Sequence, residues 1–259
     1  MSTAGHRDHV GGVDPVDRAG SDAAPLPRLA WLRDRRALIF DFDGVVADTE
    51  PVHAEAKRET LVQFQIAHPE AIFDQFKGRT DVDFFEHVIG HLDTRGVPFA
   101  TLIEEKRRRY RELFVSVRLV PGFEALLTAA RSSFERLAIA TSATRADFEL
   151  VADRFPLVRA VDAVVTSDDT AQFKPNPEPY LVALDRLGVR PGTAVAIEDS
   201  PNGVRSASDA GVLVVGLARA FSASDLTKAG ARHIVNSLRT LADDVSWRDD
   251  KSEPGGTRG

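Results

Sequence analysis

Two aspartates two positions apart, Asp41 and Asp43, stand in the run DFDGVVADTE directly behind the apolar stretch Ala37-Leu38-Ile39-Phe40. The apolar stretch reads as a strand, so both carboxylates emerge where it ends. Successive strand residues face opposite ways, but beyond the last ladder pair the chain is free to turn, and Gly44 permits a turn tight enough to bring both side chains to one ligand. One carboxylate can then attack while the other moves protons, a division of labour that suits phosphoryl transfer. Further polar groups recur downstream: Thr141 and Ser142 in AIATSAT, Lys174 in FKPNPEPY, and Glu198 with Asp199 in VAIEDSPNGV. A phosphate dianion beside Asp41, Asp43, Glu198 and Asp199 would meet several like charges, each pair costing about 4 kcal/mol at roughly 4 Å and an effective dielectric near 20. Cations must offset this. Lys174 supplies one charge and a hard divalent ion two, with Mg2+ favoured because it binds through few carboxylates plus phosphate and water. The Asp43 carboxyl, next to another acid, should hold its proton more tightly than usual, as an acid working at neutral pH requires.

The elements that would position these groups follow an α/β rhythm. Apolar runs at Arg36–Asp41, Leu137–Thr141, Ala163–Thr166, Ala194–Glu198 and Val212–Gly216, with a weaker one at His233–Val235, alternate with stretches of helical spacing. The expected fold is therefore α/β, a Rossmann-like parallel sheet with helices on both faces. In such sheets ligands gather at the carboxyl ends of the strands, which is where the polar residues fall. Pro121-Gly122 and Pro177-Glu178-Pro179 mark helix starts. One interval is too long: Asp43 and Thr141 lie 98 positions apart, whereas a strand-helix-strand unit takes roughly 30 residues or a little more. Residues 52–118, with DVDFFEHVIGHL and TLIEEKRRRYRELF at helical spacing, are expected to form an inserted all-helical cap. The cap would hang above the carboxylates as a lid, hinged on its two crossing chains. The expected division is a tail over 1–30, an α/β core over 31–51 and 119–247, the cap over 52–118, and a second tail over 248–259.

Composition narrows the function. The 259 residues are 43% apolar, enough to build a core, and 33 basic against 39 acidic residues leave no basic stripe for a nucleic-acid backbone. The absence of cysteine excludes disulfides, thiolate nucleophiles and zinc-thiolate sites, and suits a cytoplasmic location. The first 27 residues carry no apolar core segment, which argues against a signal peptide or membrane span. The expected partner is a small phosphorylated metabolite, with no nucleic acid and no membrane; oligomeric state stays open, and a monomer is compatible with it.

Four segments in order, DFDGVVADTE, AIATSAT, FKPNPEPY and VAIEDSPNGV, resemble the four signature motifs of the haloacid-dehalogenase superfamily of aspartate-nucleophile phosphohydrolases. The helical insert after the first motif is similar to that of the β-phosphoglucomutase and sugar-phosphatase subfamily, and the resemblance spans roughly residues 36–235. It implies Asp41 as nucleophile, Asp43 as general acid and base, Thr141 as a hydroxyl on the phosphoryl oxygens and Lys174 as the orienting cation. It also implies Mg2+ held by Asp41, the Asp43 carbonyl, Glu198 and Asp199. In the resembling mutases a histidine at the position of His53 couples proton transfer to lid closure. Lys77-Gly78-Arg79-Thr80 is the cap segment expected to touch substrate, since Gly78 allows close backbone approach and Arg79 suits an anion. Two departures favour a phosphatase over a mutase: Asp81 stands where mutases carry a phosphate-gripping arginine, and Thr144-Arg145 where they carry a lysine. A sugar phosphate is the expected substrate. A receiver-like signalling module is the rival from another class, but such modules lack so large an insert and carry their phosphorylated aspartate after an internal strand.

Each residue also has a blander reading. Acidic pairs at strand ends cap turns, and Thr141 and Ser142 can satisfy backbone groups. Lys174 can be a loop cation, although Pro175, Pro177 and Pro179 stiffen that loop, and Asp199 or Ser200 can cap a helix beginning near Pro201. His53 reads equally as a surface polar residue. Asp48 and Glu50 read as turn and helix-start residues. The run Lys106 to Arg109 with Arg111 reads as a solvated helix face.

Overall fold

The computed structural model describes residues 32, 34–77 and 79–246. Both expected tails, 1–30 and 248–259, and Gly78 therefore lie outside the described residues. Six parallel strands form one sheet: β1 (Ala37–Phe40), β2 (Arg136–Ala140), β3 (Ala163–Val165), β4 (Ala194–Glu198), β5 (Leu213–Leu217) and β6 (His233–Val235), in the order β3-β2-β1-β4-β5-β6. The order reverses direction at β1, which pairs with β2 on one side and β4 on the other, Phe40 opposite both Ile139 and Ile197. That switch point opens a crevice at the carboxyl ends of the three central strands.

Apolar layers cover both sheet faces. Alternate residues of β1 divide between them, Leu38 and Phe40 packing with α5 (Phe123–Ser133), α6 (Arg145–Arg154) and α10 (Leu238–Ser246). Ala37 and Ile39 pack on the other side with α7 (Glu178–Leu187), α8 (Pro201–Asp209) and α9 (Ala223–Ala229). Strands buried on both faces must be apolar throughout, which is why they read as unbroken runs. All six expected strands form, four of them with one or both ends moved by one residue and β4 and β6 with the expected bounds. The first three expected runs end on a polar residue, Asp41, Thr141 and Thr166, that the sheet leaves just beyond the strand.

Between β1 and β2 the chain forms α1 (Glu50–Gln63), α2 (Ala71–Gln75), α3 (Asp81–His91) and α4 (Phe99–Leu113), with no strand among the described residues of this stretch. These helices enclose an apolar cluster of their own built on Leu61, Ile72, Phe73, Phe84, Phe85 and Leu102. The two crossings into and out of the insert are hydrogen-bonded to each other: the Asp48 amide donates to the Arg118 carbonyl at 2.8 Å and the Val120 amide to the Val46 carbonyl at 2.9 Å. The fold is thus an α/β Rossmann-like sheet with an inserted helical cap. Among the described residues no helix is long and apolar enough to cross a membrane.

Candidate active site

Beyond β1 the chain folds on itself. The amides of Val46 and Ala47 both donate to the Phe42 carbonyl, at 2.8 and 3.0 Å, and the Gly44 amide to the Ala47 carbonyl. Gly44 has φ 83°, and a Cβ there would lie 2.0 Å from Asp199 Oδ2, so glycine serves both the turn and the space above it. This loop delivers Asp41 and Asp43 to the crevice. At the end of β4, Glu198 and Asp199 arrive beside them, and carboxylate oxygens of Asp41, Glu198 and Asp199 lie within 4.8 Å of one another.

Lys174 enters the same space from the loop before α7. Its ammonium donates to Asp41 Oδ1 at 2.6 Å, Glu198 Oε1 at 2.6 Å and the Ala140 carbonyl at 2.9 Å. Thr141, just past β2, donates its hydroxyl to Asp43 Oδ2 at 3.4 Å and accepts the Ala143 amide at 2.9 Å. Ser142, next in the chain, is exposed on that turn. Ser200 caps α8, its hydroxyl accepting the Gly203 amide at 3.0 Å, so helix capping falls to Ser200 and leaves Asp199 in the acidic group.

Burial and like charge dominate the electrostatics. Burial, then Glu198 and Asp43, push the Asp41 carboxyl up to about 8 against the opposing pull of Lys174. Asp199 is raised well above the carboxylate range by burial and by Asp41, Glu198 and Asp43. Asp43 is raised by burial, against a hydrogen bond from Thr49. Burial works against the Lys174 ammonium, yet Asp41 and Glu198 outweigh it, and the lysine keeps its charge. A pocket of carboxylates that resist ionising together, with one fixed cation, fits a hard divalent ion such as Mg2+: bound oxygens supply its ligands and its charge removes their repulsion.

Other expected residues lie elsewhere. His53 on α1 faces the cap and not the carboxylates: its Nδ1 accepts from Lys106 Nζ at 2.7 Å and its ring stacks on Tyr110 at 4.3 Å. Burial, then Lys106, hold the imidazole well below its usual range, so it is neutral, and since an ammonium can only donate, the proton sits on Nε2. Arg79 is exposed, its guanidinium over the Phe76 ring. Arg145 is committed elsewhere, donating to Asp169 at 2.8 Å and to the Val164 carbonyl, and does not take the place of the mutase lysine.

One reading is overturned. Lys106 is not on a solvated face: its relative exposure is 2%, and it pairs with Asp81 at 2.6 Å while Lys57 approaches the same carboxylate at 3.6 Å. The signal was the spacing Leu102, Lys106, Tyr110, which places the lysine on the buried stripe of α4 between two core residues. Arg107, Arg108 and Arg111 are exposed, as expected of the run, and Arg109 is half-buried. Tyr180 and Thr49 also touch the site, and nothing in their sequence context singles them out. Tyr180 donates to Glu198 Oε1 at 2.8 Å and Thr49 to Asp43 Oδ1 at 2.5 Å.

The chain is similar to known proteins. The family model for haloacid dehalogenase-like hydrolases matches residues 38–217. Protein CbbY of Rhodobacter capsulatus is 36% identical over 197 residues, covering 70% of this chain and 84% of that protein. A phosphorylated carbohydrates phosphatase of Thermotoga maritima is 32% identical over 179 residues, covering 68% and 82%. Among solved structures, CbbY from Rhodobacter sphaeroides in complex with phosphate superposes with a TM-score of 0.70 at 28% identity, covering 80% of this chain and 96% of that one. The chain therefore belongs to the haloacid dehalogenase-like hydrolase family.

Proposed function

We propose that the protein is a Mg2+-dependent phosphatase of a small phosphorylated metabolite, a sugar phosphate, working through a phospho-Asp41 intermediate. The observation that carries this reading is the Lys174 ammonium held 2.6 Å from both Asp41 and Glu198, residues 133 and 24 positions away, at the rim where Asp199 also arrives. A carboxylate, a fixed cation and an acidic group able to hold a metal at one strand edge meet the needs of phosphoryl transfer, which is mostly positioning and charge neutralisation. The phosphatase of Thermotoga maritima, named for phosphorylated carbohydrates, supports the substrate class.

An Asp41 carboxylate oxygen attacks phosphorus and the bond to the leaving oxygen breaks, while Asp43, whose proton affinity is raised, donates its proton to that oxygen. Asp43, now ionised, takes a proton from water, which attacks the aspartyl phosphate and returns Asp41. Lys174 and the Thr141 hydroxyl hold phosphoryl oxygens. Asp41, Glu198, Asp199 and the Asp43 carbonyl are the groups that would hold the ion, which would supply charge neutralisation to the transferring group. The residues 52–118, with a core of their own and paired crossings, act as the lid that excludes bulk water.

Hydrolysis is favoured over mutase action because Asp81 is tied to Lys57 and Lys106 and offers no cation to a distal phosphate. The test is phosphate release from a panel of phosphorylated metabolites, with and without Mg2+. Asp41→Asn should abolish release and Asp43→Ala should slow it with the fold intact; retention of a tenth of parental turnover by Asp41→Asn would refute the nucleophile, about 1.4 kcal/mol being too little for its loss.

A further inference from the structure

We propose that Tyr180 is a positioning residue for phosphoryl transfer: its hydroxyl fixes Glu198, and Glu198 so fixed keeps the Lys174 ammonium at the phosphoryl site when Asp41 is esterified. The proposal rests on the phosphatase reading and extends it to a residue outside the four signature groups.

Glu198 is completely buried at the end of β4. Its Oε1 accepts from the Tyr180 hydroxyl at 2.8 Å and from Lys174 at 2.6 Å, and its Oε2 from the Ser200 amide at 3.3 Å and hydroxyl at 3.2 Å. Both carboxylate oxygens are thus held by donors of the protein, Oε1 from α7 and its preceding loop and Oε2 from the start of α8. Lys174 is equally committed, its protons shared among Asp41, Glu198 and the Ala140 carbonyl. The Tyr180 oxygen lies 3.4 Å from Lys174 Nζ, a longer approach than any of those three. The phenol proton therefore belongs to Glu198.

This arrangement matters at one moment of the reaction. When Asp41 bonds to phosphorus it loses its negative charge, which passes to the leaving oxygen and, once that oxygen is protonated, to Asp43, and the ion pair that drew Lys174 towards Asp41 weakens. The ammonium must then stay and turn one N–H to the phosphoryl group. Its remaining anchors are Glu198 and the Ala140 carbonyl. The last torsion of a glutamate is broad and roughly two-fold, so a carboxylate held by Lys174 alone on Oε1 would follow the lysine and not hold it. Tyr180 prevents this because its ring is fully buried in the apolar layer under α7, with Lys174 5.0 Å from the ring centroid. The hydroxyl is thus a rigid donor aimed from the protein interior.

Tyr180→Phe tests the idea because it keeps the ring, its volume and the cation-π contact and removes only the hydroxyl. The parent and variant are compared for phosphate-release kinetics, for calorimetric binding of Mg2+, inorganic phosphate and orthovanadate, and for Tm. Orthovanadate takes up the five-coordinate arrangement of the transferring group. Expected are a kcat lower by about tenfold with KM within about twofold, the pattern of an interaction realised in the transition state. Orthovanadate affinity should fall by about tenfold while phosphate and Mg2+ affinities stay within about threefold. Unchanged kcat and orthovanadate affinity would overturn the proposal. Equal weakening of phosphate and orthovanadate would overturn it in favour of plain ligand binding, and a Mg2+ affinity lowered about tenfold would reassign the hydroxyl to metal binding. A Tm loss beyond about 10 °C would assign the hydroxyl to the fold and also overturn it. A parent protein inactive on every phosphorylated metabolite would sink the phosphatase reading itself, whereas an active parent with an undiminished variant sinks only the role of Tyr180.

Discussion

Gly203→Ala is the sharpest test of the site geometry. Gly203 lies in the first turn of α8, where a Cβ would stand 1.8 Å from Glu198 Oε1, 2.0 Å from its Cδ and 2.1 Å from its Oε2. Contacts with the far end of a flexible side chain are ordinarily cheap, because that end moves. Glu198 is not free to move: it is fully buried and held by Lys174, Tyr180 and Ser200. Rotating it away strands the Lys174 charge and the Tyr180 hydroxyl together, and breaking a buried ion pair costs about 3–5 kcal/mol. Alanine in a helix returns at most about 1 kcal/mol over glycine. A net loss of about 2–4 kcal/mol remains, which for a domain of this size lowers Tm by on the order of 10 °C. Thermal unfolding followed by far-UV circular dichroism, with phosphate release measured on the same preparation, reads both consequences. A variant that melts within about 2 °C of the parent and turns over normally would mean that Glu198 does not occupy the space above Gly203.

Asp81→Asn leaves Lys57 and Lys106 buried without their shared counter-charge and should cost about 3 kcal/mol in urea unfolding, recovered in large part by adding Lys106→Met; a loss under about 0.5 kcal/mol would refute the triad. The metal-free protein should lose stability as pH rises from about 4 to about 8, because Asp41 titrates near 8 when folded and in the ordinary carboxylate range when unfolded, so the folded state binds the extra proton across that window. Mg2+ should therefore raise Tm more at pH 8 than at pH 5, and an equal rise at both would contradict the burial of Asp41 among carboxylates.

The sheet was legible because parallel strands buried on both faces leave little room for polar residues, so the strands appear as apolar runs, the first three ending where Asp41, Thr141 and Thr166 begin. The acidic group was legible for the related reason that strand ends at a switch point are where side chains of distant segments converge. Side chains whose partners depend on helix packing were not. Lys106 reads as one of four consecutive cations, and only the approach of α1 and α3 to α4 gives it Asp81 and His53 as neighbours. His53 follows the first motif closely enough to suggest the carboxylates, yet α1 turns its ring to Tyr110. Tyr180 reads as an ordinary core residue of α7, since nothing in a run of apolar helix positions reveals where a phenol proton points. Arg145 was drawn away by Asp169, whose capping of the turn after β3 the sequence did not signal.

Thr49 ties these two levels together. It is the N-cap residue of α1, yet its hydroxyl makes no cap; it donates instead to Asp43 Oδ1 at 2.5 Å. A missing side-chain cap costs a helix about 1 kcal/mol, and α1 begins the insert, so the helix gives up part of its own start to hold the proposed acid and base. The hydrogen bond favours the ionised form of Asp43 and so opposes the burial that raises its proton affinity. Lys106, on the far helix of the insert, opposes it in the same sense through charge. Two groups carried by the insert and its entry thus bear on the proton affinity of one core carboxylate.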